Sequence, residues 1–234
     1  MKILILGYGK MGKAIETIAL NSGHEVIGKI TSKTNTNIPT SADVAIEFSN
    51  PESAVANIMF CIDHKIPVVS GTTGWLSHKK DIDLYCTQKN GTFFYASNYS
   101  IGVNIFFKVN QFLAEKMKSQ GSYDVEISEI HHTQKKDSPS GTAITLAETI
   151  TGILPFKKEW SNIETHDPSA LVIKSKRIDP TPGTHTVKYT SATDDIDITH
   201  TAHSREGFAK GAVLVAEWIR NKKGVLSMDD FLNF

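Results

Sequence analysis

The first thirty residues leave few folds open. Ile3 to Leu6 is an apolar run too short for a helix, and it suits a strand buried in a parallel sheet. Gly7-Tyr8-Gly9-Lys10-Met11-Gly12 follows directly, a G-x-G-x-x-G. Beyond it Met11, Ala14, Ile15, Ile18 and Ala19 recur at i, i+3, i+4, i+7 and i+8, the apolar stripe of a helix. Gly23 suits that helix's C-terminal cap, and Glu25 to Ile30 reads as a second strand. A glycine turn between strand and helix in such a unit lets backbone approach a pyrophosphate, which sits on the helix N-terminus. The expectation is α/β: a Rossmann-type, doubly wound parallel sheet at the N-terminus, with Gly7, Tyr8, Gly9, Lys10, Met11 and Gly12 around a dinucleotide.

Such a fingerprint usually has an acid about 20 residues on, holding the ribose 2′-hydroxyl. Here the second strand runs out through Lys29, Ile30, Thr31, Ser32 and Lys33, and Thr31 stands at its tip. No carboxylate is present there to repel a 2′-phosphate, so NADPH or NADH is the expected cofactor, with Thr31 and Lys33 at the ribose.

The pattern continues. Thr34 to Ser41 reads as a loop and Ala42 to Phe48 as strand three. Asn50-Pro51 opens a helix whose face carries Val55, Ile58, Met59 and Ile62. Ile66 to Val69 is strand four and leads into Ser70-Gly71-Thr72-Thr73-Gly74. After a helix beyond Ser77, Thr92 to Ala96 is strand five, ending in Ser97-Asn98-Tyr99-Ser100. Both loops belong at the carboxyl edge of the sheet, where ligands bind.

After residue 100 the character changes. A helical run from Ile101 to about Ser119 precedes a strand, Tyr123 to Ile130, and a helix, Ala143 to Thr151. Residues 153 to 168 lack periodicity and read as a loop. Ala170 to Lys176, Gly183 to Ser191 and Asp195 to Ala202 read as strands, the last two with the alternation of half-buried antiparallel pairs. Ser204 suits the cap of a final helix with Ala212, Val215, Ala216 and Ile219 on one stripe, ending at Gly224. Two domains are expected: residues 1–101 plus 205–234 bind dinucleotide, and residues 102–204 form an α+β domain on a mixed or antiparallel sheet that binds substrate and oligomerises.

Glu129-Ile130-His131-His132-Thr133-Gln134-Lys135-Lys136-Asp137-Ser138-Pro139-Ser140-Gly141-Thr142-Ala143 joins the strand to the helix. Two histidines and a lysine there are candidate proton donors. Ser140-Gly141-Thr142 offers N–H groups at a helix start, a place for an anion. Together they suggest a site that binds a carboxylate or phosphate and moves a proton.

Composition narrows the class. In 234 residues, Lys plus Arg equals Asp plus Glu at 25 each, so no net field draws nucleic acid or an anionic membrane. Only Cys61 and Cys86 occur, without CxxC spacing, which fits a reducing cytoplasm. No apolar run approaches a membrane span, and the N-terminus lacks a signal-peptide cleavage site. His185, His200 and His203 lie among the late strands, but no Cys, Asp or Glu accompanies them at ligand spacing, and no metal is expected.

The central run resembles the signature of the dihydrodipicolinate reductase (4-hydroxy-tetrahydrodipicolinate reductase) family, approximately E-x-H-H-x-x-K-x-D-x-P-S-G-T-A, and matches every fixed position. Phe48-Ser49-Asn50-Pro51, the G-T-T-G loop, the Ala96-Ser97-Asn98-Tyr99-Ser100 loop and Gly183-x-His185 extend the resemblance over the chain. It implies NAD(P)H-dependent reduction of 4-hydroxy-tetrahydrodipicolinate, a small cyclic dicarboxylate, to tetrahydrodipicolinate in bacterial lysine (diaminopimelate) synthesis. It implies that Gly71, Thr72, Thr73, Ala96, Ser97, Asn98 and Tyr99 meet the nicotinamide half of the cofactor, with Arg205 a weaker candidate. His131 would supply a proton. Lys135 and the N–H groups of Gly141 and Thr142 would neutralise a carboxylate, and His132 and Ser140 would also bind the substrate. It also implies a homotetramer built on the second domain's sheet, its late strands presenting an apolar face. Another two-domain reductase would keep the glycine fingerprint but not H-H-x-x-K with P-S-G-T. A nucleotide-sensing regulator would need a DNA-binding signal that the sequence lacks.

Overall fold

A computed structural model of the chain describes residues 1–31, 38–204 and 206–234. These fall into two units, Met1–Ile101 with Glu206–Phe234, and Gly102–Arg205. Lys33 and Arg205, both expected near the cofactor, lie outside the described residues.

The first unit begins β1 (Lys2–Leu6), α1 (Lys10–Asn21), β2 (Glu25–Ile30), β3 (Val44–Glu47) and α2 (Pro51–Asp63). It continues through β4 (Val68–Ser70), α3 (Lys79–Gln88) and β5 (Thr92–Tyr95). From there α4 (Ile101–Met117) leads into the second unit, which holds β6 (Asp124–His131), α5 (Gly141–Ile153), β7 (Glu159–Ser161), β8 (Ala170–Arg177), β9 (Gly183–Thr190) and β10 (Asp195–Ala202). The chain then returns to the first unit as α6 (Glu206–Ile219), β11 (Gly224–Leu226) and α7 (Met228–Leu232).

The first sheet has the order β11-β5-β4-β3-β1-β2, every pair parallel. Alternation along β1 explains its two covered faces. Ile3 and Ile5 join Ile15 and Ala19 of α1 and Val213 and Ala216 of α6, whereas Leu4 and Leu6 join Ile58 and Ile62 of α2 and Ile82 of α3. Each Val, Leu or Ile side chain among these contributes ~1.5–3 kcal/mol by leaving water, so both layers of helices are held. Strand order reverses at β1, whose neighbours are β2 and β3, and the crevice at that switch point is where open α/β sheets bind ligands. The two cysteines are buried and unpaired in α2 and α3. Among the described residues, no helix is long and apolar enough to cross a membrane.

The second sheet is mixed, order β10-β9-β6-β8-β7, with β6 parallel to β8 and antiparallel to β9. Val125 and Ile127 of β6, Leu171 and Ile173 of β8, and Val187 and Tyr189 of β9 bury one face beneath α4 and α5. The expected apolar outer face of the late strands is absent. Ile196 and Ile198 pack toward the unit's own core, and the exposed positions of β10 are Asp195, Asp197, Thr199 and Thr201. Thr186 and Thr199 pair at 2.9 Å across the strands.

Several boundaries differ from the sequence reading, four of them with a clear physical cause. The stretch 153–168 contains β7, a three-residue edge strand held by parallel pairing to β8 and too short to show a period. The late helix ends at Ile219 rather than Gly224. Gly224 opens β11, which adds an edge to the first sheet, and α7 follows, capped by Ser227 with Asp230. Strand four lies at Val68–Ser70, two residues later than its apolar run, because its register follows Ala45–Glu47 of β3. The signature helix begins at Gly141 rather than Ala143, because Ser140 caps it.

Candidate active site

The pleat of β6 carries its inner face from core to site. Val125 and Ile127 are buried against the helices, and the next two residues on that face are Glu129 and His131. Register supplies their neighbours. Glu129 stands opposite His185 of β9 and beside Ser175 of β8, and His131 stands beside Arg177. The chain turns back at Pro139 so that Ser140, at the start of α5, covers this patch.

Glu129 has no solvent exposure. Its carboxylate accepts the Ser140 N–H at 3.1 Å on Oε1 and 3.2 Å on Oε2, and the Ser175 hydroxyl at 2.7 Å on Oε1. Arg177 Nη1 lies 3.6 Å from Oε1. His131 Nδ1 and His185 Nε2 lie 3.5 and 3.6 Å from Oε2. The Ser140 hydroxyl meets His185 Nε2 at 3.0 Å and accepts the Ala143 N–H at 3.2 Å. Burial works against the ionised Glu129, but hydrogen bonds from His185, Ser140 and Ser175 outweigh it and hold the carboxyl far below its usual range. His131 is pushed down to about 4, chiefly by burial and then by the charge of His185, with Lys135 and Arg177 adding to the effect and Glu129 opposing it. Its ring is therefore neutral near pH 7.

The loop after β6 holds the cation. Lys135 Nζ meets both oxygens of Asp137, at 2.9 and 2.8 Å, while Lys136 is exposed. Arg177 braces the loop from below, Nη2 donating to the Asp137 carbonyl at 2.7 Å and Nε to that of Lys135 at 3.4 Å. His132 lies just past the end of β6, half-buried. Gly141 is exposed and Thr142 half-buried at the first turn of α5, where N–H groups have no intrahelical acceptor. Ser140 itself turns inward, 3% exposed, with its N–H and hydroxyl both engaged. One face thus carries two imidazoles and a carboxylate, and its rim carries Lys135 and the α5 N-terminus.

Glu129, His131 and His185 bring one possible metal-ligand atom each within 4.8 Å of one another, a group that the sequence reading, which weighed His185 with His200 and His203, did not foresee. The Arg177 guanidinium, its Nη1 3.6 Å from Oε1, already compensates the charge of that carboxylate. His200 lies against Phe106 instead, and His203 is exposed.

In the first unit the glycine turn closes on β3. A side chain at Gly7, whose φ is +95°, would strike the Phe48 carbonyl oxygen at 2.1 Å, and one at Gly12 would strike the Gly7 oxygen at 2.2 Å. Gly9 faces open space and caps α1 without a side-chain hydrogen bond, which leaves the first N–H groups of a twelve-residue helix for an anion. These features fit a pyrophosphate. Phe48 is fixed from the other side by Gly71, where a Cβ would meet its ring at 2.2 Å. Beneath lies Glu47, fully buried, accepting the Ser49 N–H at 3.0 Å and the hydroxyls of Thr72 at 2.9 Å, Ser70 at 2.7 Å and Ser49. Thr73, Ala96, Ser97 and Asn98 line the carboxyl edge with at least partial exposure, whereas Tyr99 is buried and donates to the Ser70 carbonyl at 2.6 Å. Lys10 is exposed and Met11 packs on the core. The Tyr8 hydroxyl donates to Glu16, which also receives Lys29 Nζ at 3.1 Å, and Thr31 lies just past the tip of β2.

Models of the dihydrodipicolinate reductase family match nearly the whole chain, the N-terminus over residues 1–99 and the C-terminus over residues 102–232. The chain belongs to the dihydrodipicolinate reductase family. A 4-hydroxy-tetrahydrodipicolinate reductase of Christiangramia forsetii is 47% identical to it, covering 100% of this chain and 98% of that protein. One from Methanosarcina acetivorans is 39% identical over 82% of this chain and 74% of that protein. A dipicolinate-bound dihydrodipicolinate reductase from Paenisporosarcina shares the fold, with a TM-score of 0.81 at 21% identity and 99% coverage of both chains. Membership implies a pyridine nucleotide cofactor.

The sequence reading gave three residues of this site no role. Glu129 and Gly183 entered it only as letters of the resemblance, and Arg177 lies one residue past the strand read as Ala170 to Lys176. Gly183 is explained only by the packing, since a Cβ there would lie 3.1 Å from His131 Nε2. Its bare backbone leaves that nitrogen room.

Proposed function

We infer that this chain reduces 4-hydroxy-tetrahydrodipicolinate to tetrahydrodipicolinate with loss of water. The observation that carries this reading is His131 and Lys135 beside the N-terminus of α5, in a chain 47% identical throughout to a protein of that name. The pyridine nucleotide supplies the hydride. Gly7, Gly9 and Gly12 admit its pyrophosphate to the α1 N-terminus, and the Gly71–Thr73 and Ala96–Tyr99 loops flank its nicotinamide half.

Lys135 and the N–H groups of Gly141 and Thr142 bind one substrate carboxylate. Asp137 holds Lys135 ready, and an exposed pair of this kind, worth ~1 kcal/mol or less, yields readily to the substrate. His132 holds the substrate. Ser140 contributes by fixing the turn rather than by touching the ligand. His131 is neutral in the free chain, and a dicarboxylate beside it raises its proton affinity, so the proton arrives with the substrate. After water leaves and hydride is taken up, the carbanionic or enamine carbon takes that proton from His131.

NADPH serves at least as well as NADH in this reading. Thr31 brings no repelling carboxylate, and Lys29, held by Glu16 in an exposed pair, is free to exchange that partner for a 2′-phosphate. The enzyme works in a reducing cytoplasm, as homotetramers joined through the second unit's threonine-rich sheet. Assay of the purified chain with synthase-generated substrate, following nucleotide oxidation by absorbance with each cofactor, tests the activity. Light scattering tests the assembly. No substrate-dependent oxidation with either nucleotide would defeat the reading.

A further inference from the structure

The inner face of β6 holds a feature the proposed chemistry does not yet use. Glu129 touches no position assigned to substrate, yet it meets His131, His185, Ser140, Ser175 and Arg177, from four separate segments. A carboxylate with no exposure is costly to keep ionised, and the Ser140 N–H and Ser175 hydroxyl, with nitrogens of His131, His185 and Arg177 within 3.6 Å, offset that cost. Its two oxygens face different tasks. Oε1 takes Ser175 and faces Arg177, which braces the lysine-bearing loop. Oε2 faces both imidazoles. His131 Nδ1 and His185 Nδ1 are buried without a hydrogen-bond partner among the described residues. His131 Nδ1 is the nitrogen aimed at Oε2, 3.5 Å away, and a small rotation of the ring completes that contact. Nε2 then points past Gly183, where a Cβ would lie 3.1 Å from it.

We propose that Glu129 is a positioning residue for the reduction, fixing Nδ1 of His131 so that Nε2 carries the transferable proton while the same carboxylate ties down the Ser140 turn that presents the anion site. This rests on the proposed role of His131. The groups facing the His131 ring are Glu129 on its own strand, His185 on β9, Arg177 on β8 and Lys135 on the loop, and of these only Glu129 favours the charged ring. Removing its charge takes away the one influence that favours the protonated ring.

Glu129→Gln tests this. Expected are a fall in kcat of ~10²-fold, KM for the nucleotide within twofold of wild type, and a downward shift of about one unit in the His131 titration followed by ring ¹⁵N NMR. The NMR measurement needs no turnover. A shifted titration in a chain that reduces no substrate would refute the proposed function and leave the coupling of the two groups standing. An unshifted titration with unchanged kcat and its pH profile would overturn the positioning role. Lost stability with the titration unmoved would make Glu129 a packing group and also overturn it. Should Glu129→Gln not fold, Ser175→Ala removes one donor from Oε1 and leaves the carboxylate. It should lower kcat severalfold and move the kcat pH profile, and an unmoved profile would count against the proposal.

Discussion

Two glutamates, one in each unit, are fully buried on or at the end of a strand, and each gathers the loops around it. Glu47 takes a backbone N–H and three hydroxyls, from Ser49, Ser70 and Thr72. Glu129 takes a backbone N–H and the Ser175 hydroxyl, and has His131, His185 and Arg177 within 3.6 Å. The device is the same: an acceptor of several hydrogen bonds pins segments that sequence keeps far apart. The partners differ. Neutral hydroxyls make Glu47 a fixed support for the loops proposed to hold the cofactor. Titratable and cationic partners link Glu129 to protons. A buried carboxylate is thus structural or chemical according to what surrounds it.

Substitutions that remove one partner at a time break or sharpen this contrast. The largest effect is expected at His131. His131→Gln should lower kcat by ~10²–10⁴-fold with nucleotide affinity unchanged, as steady-state kinetics and fluorescence titration can show. Wild-type kcat with weakened nucleotide binding would reverse the assignment of the two regions. Next, Lys135→Ala should lower kcat/KM for substrate by ~10–100-fold, the loss of one charge-assisted contact, while Lys136→Ala should stay within twofold. Equal, mild effects would make both lysines solvated surface.

The third test is of stability against pH. His131 is depressed from its ordinary 6.5 to about 4, so the folded chain resists protonation that the unfolded chain accepts. Its contribution is present above 6.5 and is lost as pH falls toward 4. Between pH 7 and pH 5 the wild type should lose about 2 kcal/mol that His131→Gln does not, measured by urea denaturation. Parallel curves for the two proteins would show the ring to be solvated. The smallest effect on chemistry is expected at Glu47. Glu47→Gln should raise the nucleotide KM several-fold and cost stability of ~1–3 kcal/mol, without moving the pH profile of kcat. A moved profile would erase the distinction between the two glutamates.

Much of this was legible in the chain. The glycine turn, the stripe on α1 and the cap at Asn50 arise from contacts within a few residues, so local patterning exposes them. The pieces of the anion site are likewise consecutive, from His131 to Thr142, and their order alone placed two imidazoles and a lysine before a helix start. Short edge strands were not legible, because β7 and β11 are three residues each and owe their conformation to a neighbour.

The sequence by itself therefore determined the strand–turn–helix units, the family and the loop that carries the candidate chemistry. These depend on periodicity and on motifs contiguous in the chain. Only the tertiary structure decided which groups face one another. Glu129, Ser175 and His185 are 46 and 10 residues apart along the chain and become neighbours through the register of β6 with β8 and β9. A shift of one residue in either pairing would turn a strand's side chains to the other face and disperse the site. Register is set by how the apolar faces of β6, β8 and β9 bury together under α4 and α5, and no local pattern encodes that.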